Sequence, residues 1–250
     1  QVYRGADGMR MFKFLQTVGS FVVVLVMVLV WGVPLAPTIV YYQWANELVS
    51  FDHQWAQALV TGLVLSSSFI VYIFSLLTFS AILQFILHLR IKEKTVVPLA
   101  SFHTLRWAFC GQVLRSTQPF LQHFVPSFFA NTYFRVSGAK IGKNTQINTF
   151  RLNDPGLIRI DDDCVVGGGA TFNGHLVEKN QMIFAPIHMK AGSLVGAGST
   201  LQPGVTIGEN AVIASSALVP KYRTIPAGEV WGGLPAVQIR GSSSRDESEA

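Results

Sequence analysis

A period of six residues dominates the second half of the chain. From Met189 to Val219 a long or branched aliphatic residue recurs at every sixth position, and a small residue follows most of them four positions later. The aliphatic positions are Met189, Val195, Leu201, Ile207, Ile213 and Val219. An α-helix would space apolar residues by three and four, and a half-exposed strand would alternate them. The period of six instead predicts a parallel β-helix, in which three hexads complete one triangular coil.

Hexads of the same kind occur upstream, so that about four coils are expected. Their aliphatic or aromatic positions are Ile141, Ile147, Ile160, Val166 and Phe172. The register gains one residue around 153–156, which has the composition of a turn. It loses one between Phe172 and Met189, which predicts a loop or irregular edge there. Insertions in solenoids gather on one face, often the binding face, so this second break is a candidate for the functional region.

Two long apolar segments precede the repeat. Residues 14–33 contain no charged side chain, and about 20 such residues suffice to cross a bilayer. Pro34 and Pro37 are expected to interrupt this first helix near its end. The second segment, 56–89, is longer than a straight crossing needs, which favours a tilt. The pattern predicts a transmembrane α-helical hairpin within residues 14–94.

Composition and charge agree with a membrane protein. Half of the 250 residues are hydrophobic and only 13% are charged, which is too apolar for an ordinary soluble domain. The net charge of +5 does not come from a basic patch with interleaved aromatics, so no nucleic acid is expected. Lys and Arg flank the hairpin but are missing from its connecting loop. The positive-inside rule therefore predicts that the N-terminal segment 1–13 and the β-helix both lie on the cytoplasmic side or its equivalent.

The remaining segments are assigned from composition. Residues 95–135 mix aromatic residues with arginines and prolines, which is typical of short amphipathic helices at a membrane surface. A helix that caps the open end of the first coil is an equally good interpretation. The β-helix is expected over 136–220, followed by a C-terminal return over 221–241. The polar tail 242–250 is expected to be disordered.

The hexads with "VGAGS" and the closing "IPAGEVWGGLPAVQIR" resemble the hexapeptide-repeat acyltransferase superfamily over about residues 136–240. The resemblance implies that the coil is left-handed and that the protein is a trimer with active sites between subunits. A closer resemblance, over the hairpin and "FNGHLVE" as well, is to the repeated C-terminal membrane modules of ε-poly-L-lysine synthetase-type peptide synthetases. In those enzymes such modules form an amide from an aminoacyl thioester. This implies the end of a longer polypeptide, a pseudo-trimer of tandem modules, or a stand-alone relative.

Acyl transfer requires a base for the acceptor's proton and donors for the developing oxyanion. His175 is the best candidate base, because it lies where the register breaks and because the related modules resemble "HLVE". Glu178 is a candidate to orient it and Asn173 a candidate oxyanion donor, although each is also consistent with a solvated polar residue. His188 is a second, weaker candidate, expected to point outward from the wall.

The expected donor is an acyl-CoA or carrier-protein pantetheine thioester, with no tightly bound cofactor. Gly196 and Gly198 would allow close approach of the pantetheine arm, and Trp231 would either cover that arm or pack the C-terminal return. Two alternatives from other classes remain. A rigid prism on a membrane hairpin is consistent with a non-catalytic scaffold subunit of a larger membrane complex. A zinc protein similar to γ-class carbonic anhydrases is less favoured, because only His175 and His188 lie in the repeat and no metal site is predicted.

Overall fold

Two long helices, α1 (Ala6–Leu48) and α2 (Gln54–Leu87), begin the chain. The structure is a computed structural model that describes residues 6–88 and 91–241, with side chains from residue 17. Its chain divides into two units, 3–82 and 83–250, so that the last turn of α2 belongs to the second unit. The predicted tail 242–250 lies outside the described residues, as do residues 1–5 of the predicted N-terminal segment.

Both helices are long and apolar enough to cross a membrane. The segment 17–48 has a mean hydropathy of 2.5, and 54–87 has a mean hydropathy of 2.2. Most of their side chains are exposed, including Phe21, Leu25 and Leu63. Within the first unit the hydroxyl of Tyr41 donates to Ser67 Oγ at 3.0 Å, which joins the two helices.

The prediction that Pro34 and Pro37 interrupt the first helix is wrong, because α1 continues through both to Leu48. A proline inside a helix removes one N–H and leaves a carbonyl without its usual donor. Long apolar helices tolerate this where side-chain hydroxyls and neighbouring groups satisfy the freed backbone. The carbonyls that lose their usual donors are those of Val30 and Val33. The hydroxyl of Thr38 bonds a different carbonyl, that of Pro34, at 3.0 Å.

Two shorter helices, α3 (Phe102–Leu121) and α4 (Phe128–Val136), link the hairpin to the repeat. Serine side chains cap both N-termini, since Ser101 accepts from the backbone N–H of Thr104 and Ser127 from that of Ala130. α4 buries Phe134 completely. The amide of Asn131 donates to the carbonyl of Thr145 at 3.1 Å, which attaches α4 to the first coil. These contacts favour the capping interpretation for α4.

The rest of the described chain forms short strands. In chain order they are β1 (Thr95–Pro98), β2 (Lys140–Ile141), β3 (Gln146–Ile147), β4 (Ile158–Ile160), β5 (Val165–Val166), β6 (Thr171–Phe172), β7 (His175–Glu178), β8 (Gln181–Phe184), β9 (Ile187–Met189), β10 (Leu194–Val195), β11 (Thr200–Leu201), β12 (Thr206–Ile207), β13 (Val212–Ile213), β14 (Leu218–Val219), β15 (Thr224–Ile225), β16 (Val230–Gly233) and β17 (Ala236–Arg240).

Three of the sheets are the walls of a prism. Their strand orders are β2-β4-β9-β12-β15, β3-β5-β10-β13-β16 and β6-β11-β14, and all pairings within them are parallel. The residues predicted to point inward from Met189 to Val219 are each completely buried. The small partners Ser193 and Ser199 are buried as well. The structure therefore confirms a parallel β-helix, while the left-handed coil remains what the resemblance implies.

Both predicted breaks in the register have a structural counterpart. The gained residue falls in a 3₁₀ turn, Pro155–Leu157, just before β4. The second break is a β-hairpin of β7 and β8, which leaves the wall after β6 and pairs with β1 through β8. Its turn residues, Lys179 and Asn180, have φ values of 47° and 64°, as tight two-residue hairpins require.

The prediction that the repeat ends near residue 220 is wrong. β15 and β16 continue two of the walls, with Ile225 buried and Trp231 paired to Ile213 in the same register. Only β17 reverses direction, pairing antiparallel with β16. Proline and glycine occupy corners in every coil of this fold, so their density at 226–228 does not by itself indicate the end of the repeat.

Candidate active site

His175 is the first residue of the hairpin that leaves the prism. It follows Gly174, whose position is close to the 3₁₀ turn of the preceding coil. A Cβ atom on Gly174 would lie 2.8 Å from the Cβ atom of Leu157, so a larger residue would push the hairpin away from that turn. The glycine therefore allows the hairpin to start directly beside the residues that precede β4.

This approach pairs His175 with Asp154. The Nδ1 atom of His175 lies 2.6 Å from Oδ2 of Asp154, and the same oxygen accepts from the backbone N–H of Gly174 at 2.8 Å. The Asp154 side chain is 7% exposed and that of His175 is 22% exposed. Because Nδ1 is committed to the carboxylate, Nε2 is the ring nitrogen that can accept a proton from a substrate.

Trp107 completes the arrangement from helix α3. Its indole N–H donates to Oδ1 of Asp154 at 3.0 Å, so both carboxylate oxygens are bonded. Its ring also contacts the imidazole of His175, with ring centroids 4.4 Å apart. A carboxylate held by three donors and an indole ring tilted by 54° against the imidazole fix the orientation of His175, as a positioned general base requires.

The structure does not bring Glu178 to His175 as predicted. Glu178 ends β7 at the hairpin tip, where its exposed carboxylate binds Lys221 Nζ at 2.5 Å. The hydrogen bond from Lys221 lowers the pKa of Glu178. Three residues of extended strand span about 10 Å, which places Glu178 beyond hydrogen-bond reach of the imidazole. Asp154 has the position that was predicted for Glu178.

Asn173 stays close to the site, two residues before His175. Its Oδ1 accepts from the amide of Asn153 at 2.6 Å. This contact orients the amide and leaves its Nδ2 group as a possible donor to a ligand. Asn153 in turn accepts from the amide of Gln118 on α3 at 3.5 Å.

The predicted donor-binding residues lie on the later coils. A Cβ atom on Gly196 would come 2.5 Å from the backbone nitrogen of Ser215, so the stacking of coils already requires a glycine there. Gly198 has a φ of +69°, which favours glycine for a corner. Trp231 donates to Glu229 at 2.7 Å. Each of these residues thus has a structural reason for its identity, and none of these contacts joins it to His175.

Sequence reasoning missed Asp154 and Trp107. Asp154 lies in the "NDPG" stretch that was interpreted as a turn, and this is correct, since the turn follows immediately. Asp is common in turns for local reasons, so its type carries no signal for a distant partner. Trp107 lies in a separate helix, and nothing in its neighbourhood along the chain indicates a contact with residue 154.

A depression lies beside Asp154 and Trp107. It encloses about 340 Å³, including space open to solvent, and Gln84, His88 and Cys110 contribute to its lining. Burial raises the pKa of the Cys110 thiol to about 11. At neutral pH this thiol is therefore protonated and a poor nucleophile.

His188 forms a second pair, on the outward face of the first wall. Its Nε2 atom lies 2.8 Å from Oδ2 of Asp161, whose other oxygen accepts from Arg159 Nε at 2.9 Å. Partial burial acts to raise the pKa of Asp161, but the hydrogen bonds from Arg159 and His188 outweigh it and lower that pKa. Among the described residues, no group of three or more His, Cys, Asp or Glu is arranged to hold a metal ion.

Comparison with known proteins gives relatives for part of the chain, and no family model matches it. The chain is 26% identical to Delta-poly-L-ornithine synthetase of Acinetobacter baumannii over 142 residues, which are 57% of this chain and 10% of that protein. It is 35% identical to mitochondrial gamma carbonic anhydrase 2 of Arabidopsis thaliana over 107 residues, covering 42% of this chain and 34% of that protein. It is 30% identical to galactoside O-acetyltransferase of Escherichia coli over 119 residues, 44% of this chain and 58% of the relative.

A solved galactoside acetyltransferase in complex with coenzyme A also matches, with 21% identity over 61% of this chain and 88% of that one, at a TM-score of 0.46. The chain spans only about a tenth and a third of the first two sequence relatives. The sequence relatives confirm the predicted resemblance to the hexapeptide-repeat acyltransferase superfamily.

Proposed function

We propose that the protein is a membrane-anchored acyltransferase that moves an acyl group from a thioester to an amine or hydroxyl acceptor. The observation that carries this proposal is the hydrogen bond between Asp154 and His175, which leaves Nε2 of the imidazole for proton transfer. The acetyltransferases among the relatives support the class of reaction.

The proposed step needs one base and one leaving group. Nε2 of His175 removes the proton from the acceptor as its oxygen or nitrogen attacks the thioester carbonyl carbon. The carbon–sulfur bond then breaks, a carbon–oxygen or carbon–nitrogen bond has formed, and the proton passes from His175 to the departing sulfur. Asp154 and Trp107 are positioning residues, because Asp154 orients the imidazole and Trp107 holds Asp154, and neither contacts the acceptor.

The oxyanion and the donor have candidate partners. Asn173 would donate from Nδ2 to the carbonyl oxygen as negative charge develops there. Gly196, Gly198 and Trp231 stay our candidates for contacting the pantetheine arm. The coenzyme A complex of a galactoside acetyltransferase motivates coenzyme A as the form of donor. The ornithine polymer synthetase motivates an aminoacyl thioester as the alternative.

Anchoring by α1 and α2 and assembly into a homotrimer or a pseudo-trimer of tandem modules belong to the same proposal. The length and hydropathy of the two helices support the anchor. An active site shared between prisms would place the acceptor at Nε2 of His175.

The test measures thiol release from acetyl-CoA by the purified full chain, supplied with a panel of amines and sugars. His175→Gln keeps a hydrogen-bonding side chain but removes the base, so we expect the rate to fall by roughly 10²-fold or more. The exposed His123 on the surface gives a matched control, and His123→Gln should retain the wild-type rate. Equal rates for both variants would remove His175 from the chemistry.

The identity with gamma carbonic anhydrase 2 favours one competing function. A zinc enzyme would retain stoichiometric zinc after purification and would hydrate carbon dioxide. Neither property is expected of the acyltransferase. A folded protein that releases no thiol, binds no zinc and purifies with partner subunits would instead indicate the scaffold function.

A further inference from the structure

One wall of the prism is apolar on its outer face across four consecutive strands. This is the second wall, β3-β5-β10-β13-β16. Side chains alternate between the two faces of a strand, so the residue before each inward residue points outward. On neighbouring strands these outward residues lie in register: Val165, Leu194, Val212 and Val230. We call these four residues the aliphatic ridge.

A groove runs beside the aliphatic ridge. Two residues after each ridge position, no side chain is larger than a methyl group, since these residues are Gly167, Gly196, Ala214 and Gly232. At the last coil the chain itself occupies this groove. A Cβ atom on Gly232 would lie 2.7 Å from Cδ1 of Ile239, which reaches over from β17. The groove therefore accepts an aliphatic side chain.

The outer faces of the other two walls are more polar. On the first wall Lys140, Arg159 and His188 lie in register, followed by two threonines. On the third wall Leu218 follows two threonines. On the described strands of the second wall, no outward residue is charged. Because the chain has a net charge of +5, two copies repel each other least when they meet through this neutral face.

A second copy of the chain fits the aliphatic ridge better than a lipid surface does. Apolar segments that lie on membranes carry Lys or Arg on their polar side, and the outward residues of the second wall include neither. The ridge and the groove repeat at the same spacing of about 4.8 Å in every copy, because strand separation sets both. The ridge of one copy can therefore enter the groove of another at successive coils, as Ile239 does within the chain.

The size of the face is close to what a stable interface needs. Six strands, β3 to β17, at about 4.8 Å each and a side of six residues at up to about 3.3 Å each give roughly 500 Å² in projection. Side-chain relief makes the accessible area larger than the projection, so it approaches the roughly 800 Å² per partner of a standard interface. Val237 and Ile239 on β17, 60% and 63% exposed, extend the apolar surface at one end.

We propose that the second wall is the face through which copies of this chain assemble, with the aliphatic ridge of one copy in the groove of the next. This inference rests on the assembly included in the proposed function, to which it assigns a face. It does not depend on the chemistry at His175. The ridge points outward, so substitutions in it should change assembly and leave the prism folded.

The first experiment identifies what covers the aliphatic ridge in the membrane. p-Benzoylphenylalanine replaces Leu194 in the full chain, or replaces Leu218 as the matched control, since both are outward, partly buried leucines on different walls. Membranes of the expression host are irradiated, and the products are identified by mass. We expect covalently linked copies of the chain from position 194 and background from position 218. A lipid adduct or a different protein at position 194 would overturn the inference.

The second experiment measures assembly directly. Leu194→Lys places an ammonium group on the aliphatic ridge, where a partner copy would desolvate it without a counter-ion. Association should weaken by at least about tenfold, so that native mass spectrometry from a mild detergent shows monomers at concentrations where the wild type is assembled. Leu218→Lys should assemble as the wild type does. Thermal unfolding should give similar melting temperatures for the two variants, which verifies the fold.

The outcomes separate this inference from the proposed chemistry. A monomeric wild type, or equal assembly of both lysine variants, would overturn the inference, and thiol release by that protein would leave the acyltransferase intact. Dissociation caused equally by both variants would overturn it as well, because the effect would not be specific to the second wall. A wild type that assembles through the ridge and releases no thiol with any acceptor would end the acyltransferase proposal and support this one.

Discussion

Asp154 is the residue on which the chemistry of His175 depends most directly. Asp154→Asn keeps the shape of the side chain but replaces a carboxylate oxygen that now accepts from two donors. An amide there can neither stabilise the imidazolium nor hold Nδ1 in its donating form. We expect the rate of thiol release to fall by roughly 10²- to 10⁴-fold, with little change in KM for acetyl-CoA.

The control for this substitution is Asp163→Asn. Asp163 accepts from the amide of Asn144 at an exposed corner, so the same change of side chain alters no contact of His175. Steady-state kinetics of both variants, with thermal unfolding to verify the fold, measure the effect. A wild-type rate in Asp154→Asn would show that His175 acts without its carboxylate.

The contacts of Asp161 predict how the stability of the folded protein depends on pH. Its pKa is lowered in the folded protein, so it contributes stability above its unfolded pKa of about 3.9, and this is lost as the pH falls through the folded pKa. The variant Asp161→Asn has no carboxylate to titrate, so it does not show this part of the stability loss on acidification. Wild type should lose up to about 1 kcal/mol more stability than the variant on acidification. Melting temperatures from neutral to acid pH check this, and parallel curves would contradict it.

At the scale of elements, the prism depends on glycines where coils touch. The Cβ atom of Gly196→Ala would press against the backbone of Ser215, and backbone cannot move aside cheaply. We expect a loss of about 1–3 kcal/mol in the free energy of unfolding. A Cβ atom on Gly168 would meet only atoms of Asn148, the nearest at 3.5 Å, so Gly168→Ala should be tolerated.

This pair also separates the coil-stacking role of Gly196, which the structure shows, from its predicted role in contacting the pantetheine arm. Denaturant unfolding measures the structural effect, and KM for acetyl-CoA measures any effect on the donor. A Gly196→Ala protein as stable as Gly168→Ala would contradict the coil-stacking explanation. A raised KM in a stable variant would instead support contact with the pantetheine arm.

At the scale of the whole molecule, the membrane topology is the prediction to test. The loop between α1 and α2 contains no Lys or Arg, whereas basic residues flank the hairpin, so the β-helix and the loop should lie on opposite sides. Cys164 is buried and is not expected to react. In a Cys110→Ser background, an introduced surface cysteine is therefore the one that reacts. Ser50→Cys should react with an impermeant maleimide from the outside, and Ser215→Cys only in inverted vesicles.

Labelling of both cysteines from the same side would contradict the hairpin topology. Release of the protein from membranes by alkaline carbonate, without detergent, would contradict the anchor itself.

The hexad register could be predicted from the sequence because contacts in a solenoid are regular along the chain. Each inward residue stacks on the equivalent inward residue of the next coil. The same pattern therefore recurs along the chain and indicates which face is buried. The two breaks could be found for the same reason, since an extra or missing residue shifts every later hexad. Ile225 was missed because the corner residues Pro226 and Gly228 were interpreted as the end of the repeat.

The arrangement around His175 was decided by the tertiary structure. The sequence indicated His175 because the register breaks there, but its partners Asp154 and Trp107 are 21 and 68 positions away along the chain. A turn, a hairpin and a helix that follow no common period bring these three together. Side-chain directions at such junctions depend on close packing, as at Gly174, and no local pattern encodes them. The sequence by itself thus determined the prism and where it is interrupted, and only the tertiary structure decided which side chains meet at the interruption.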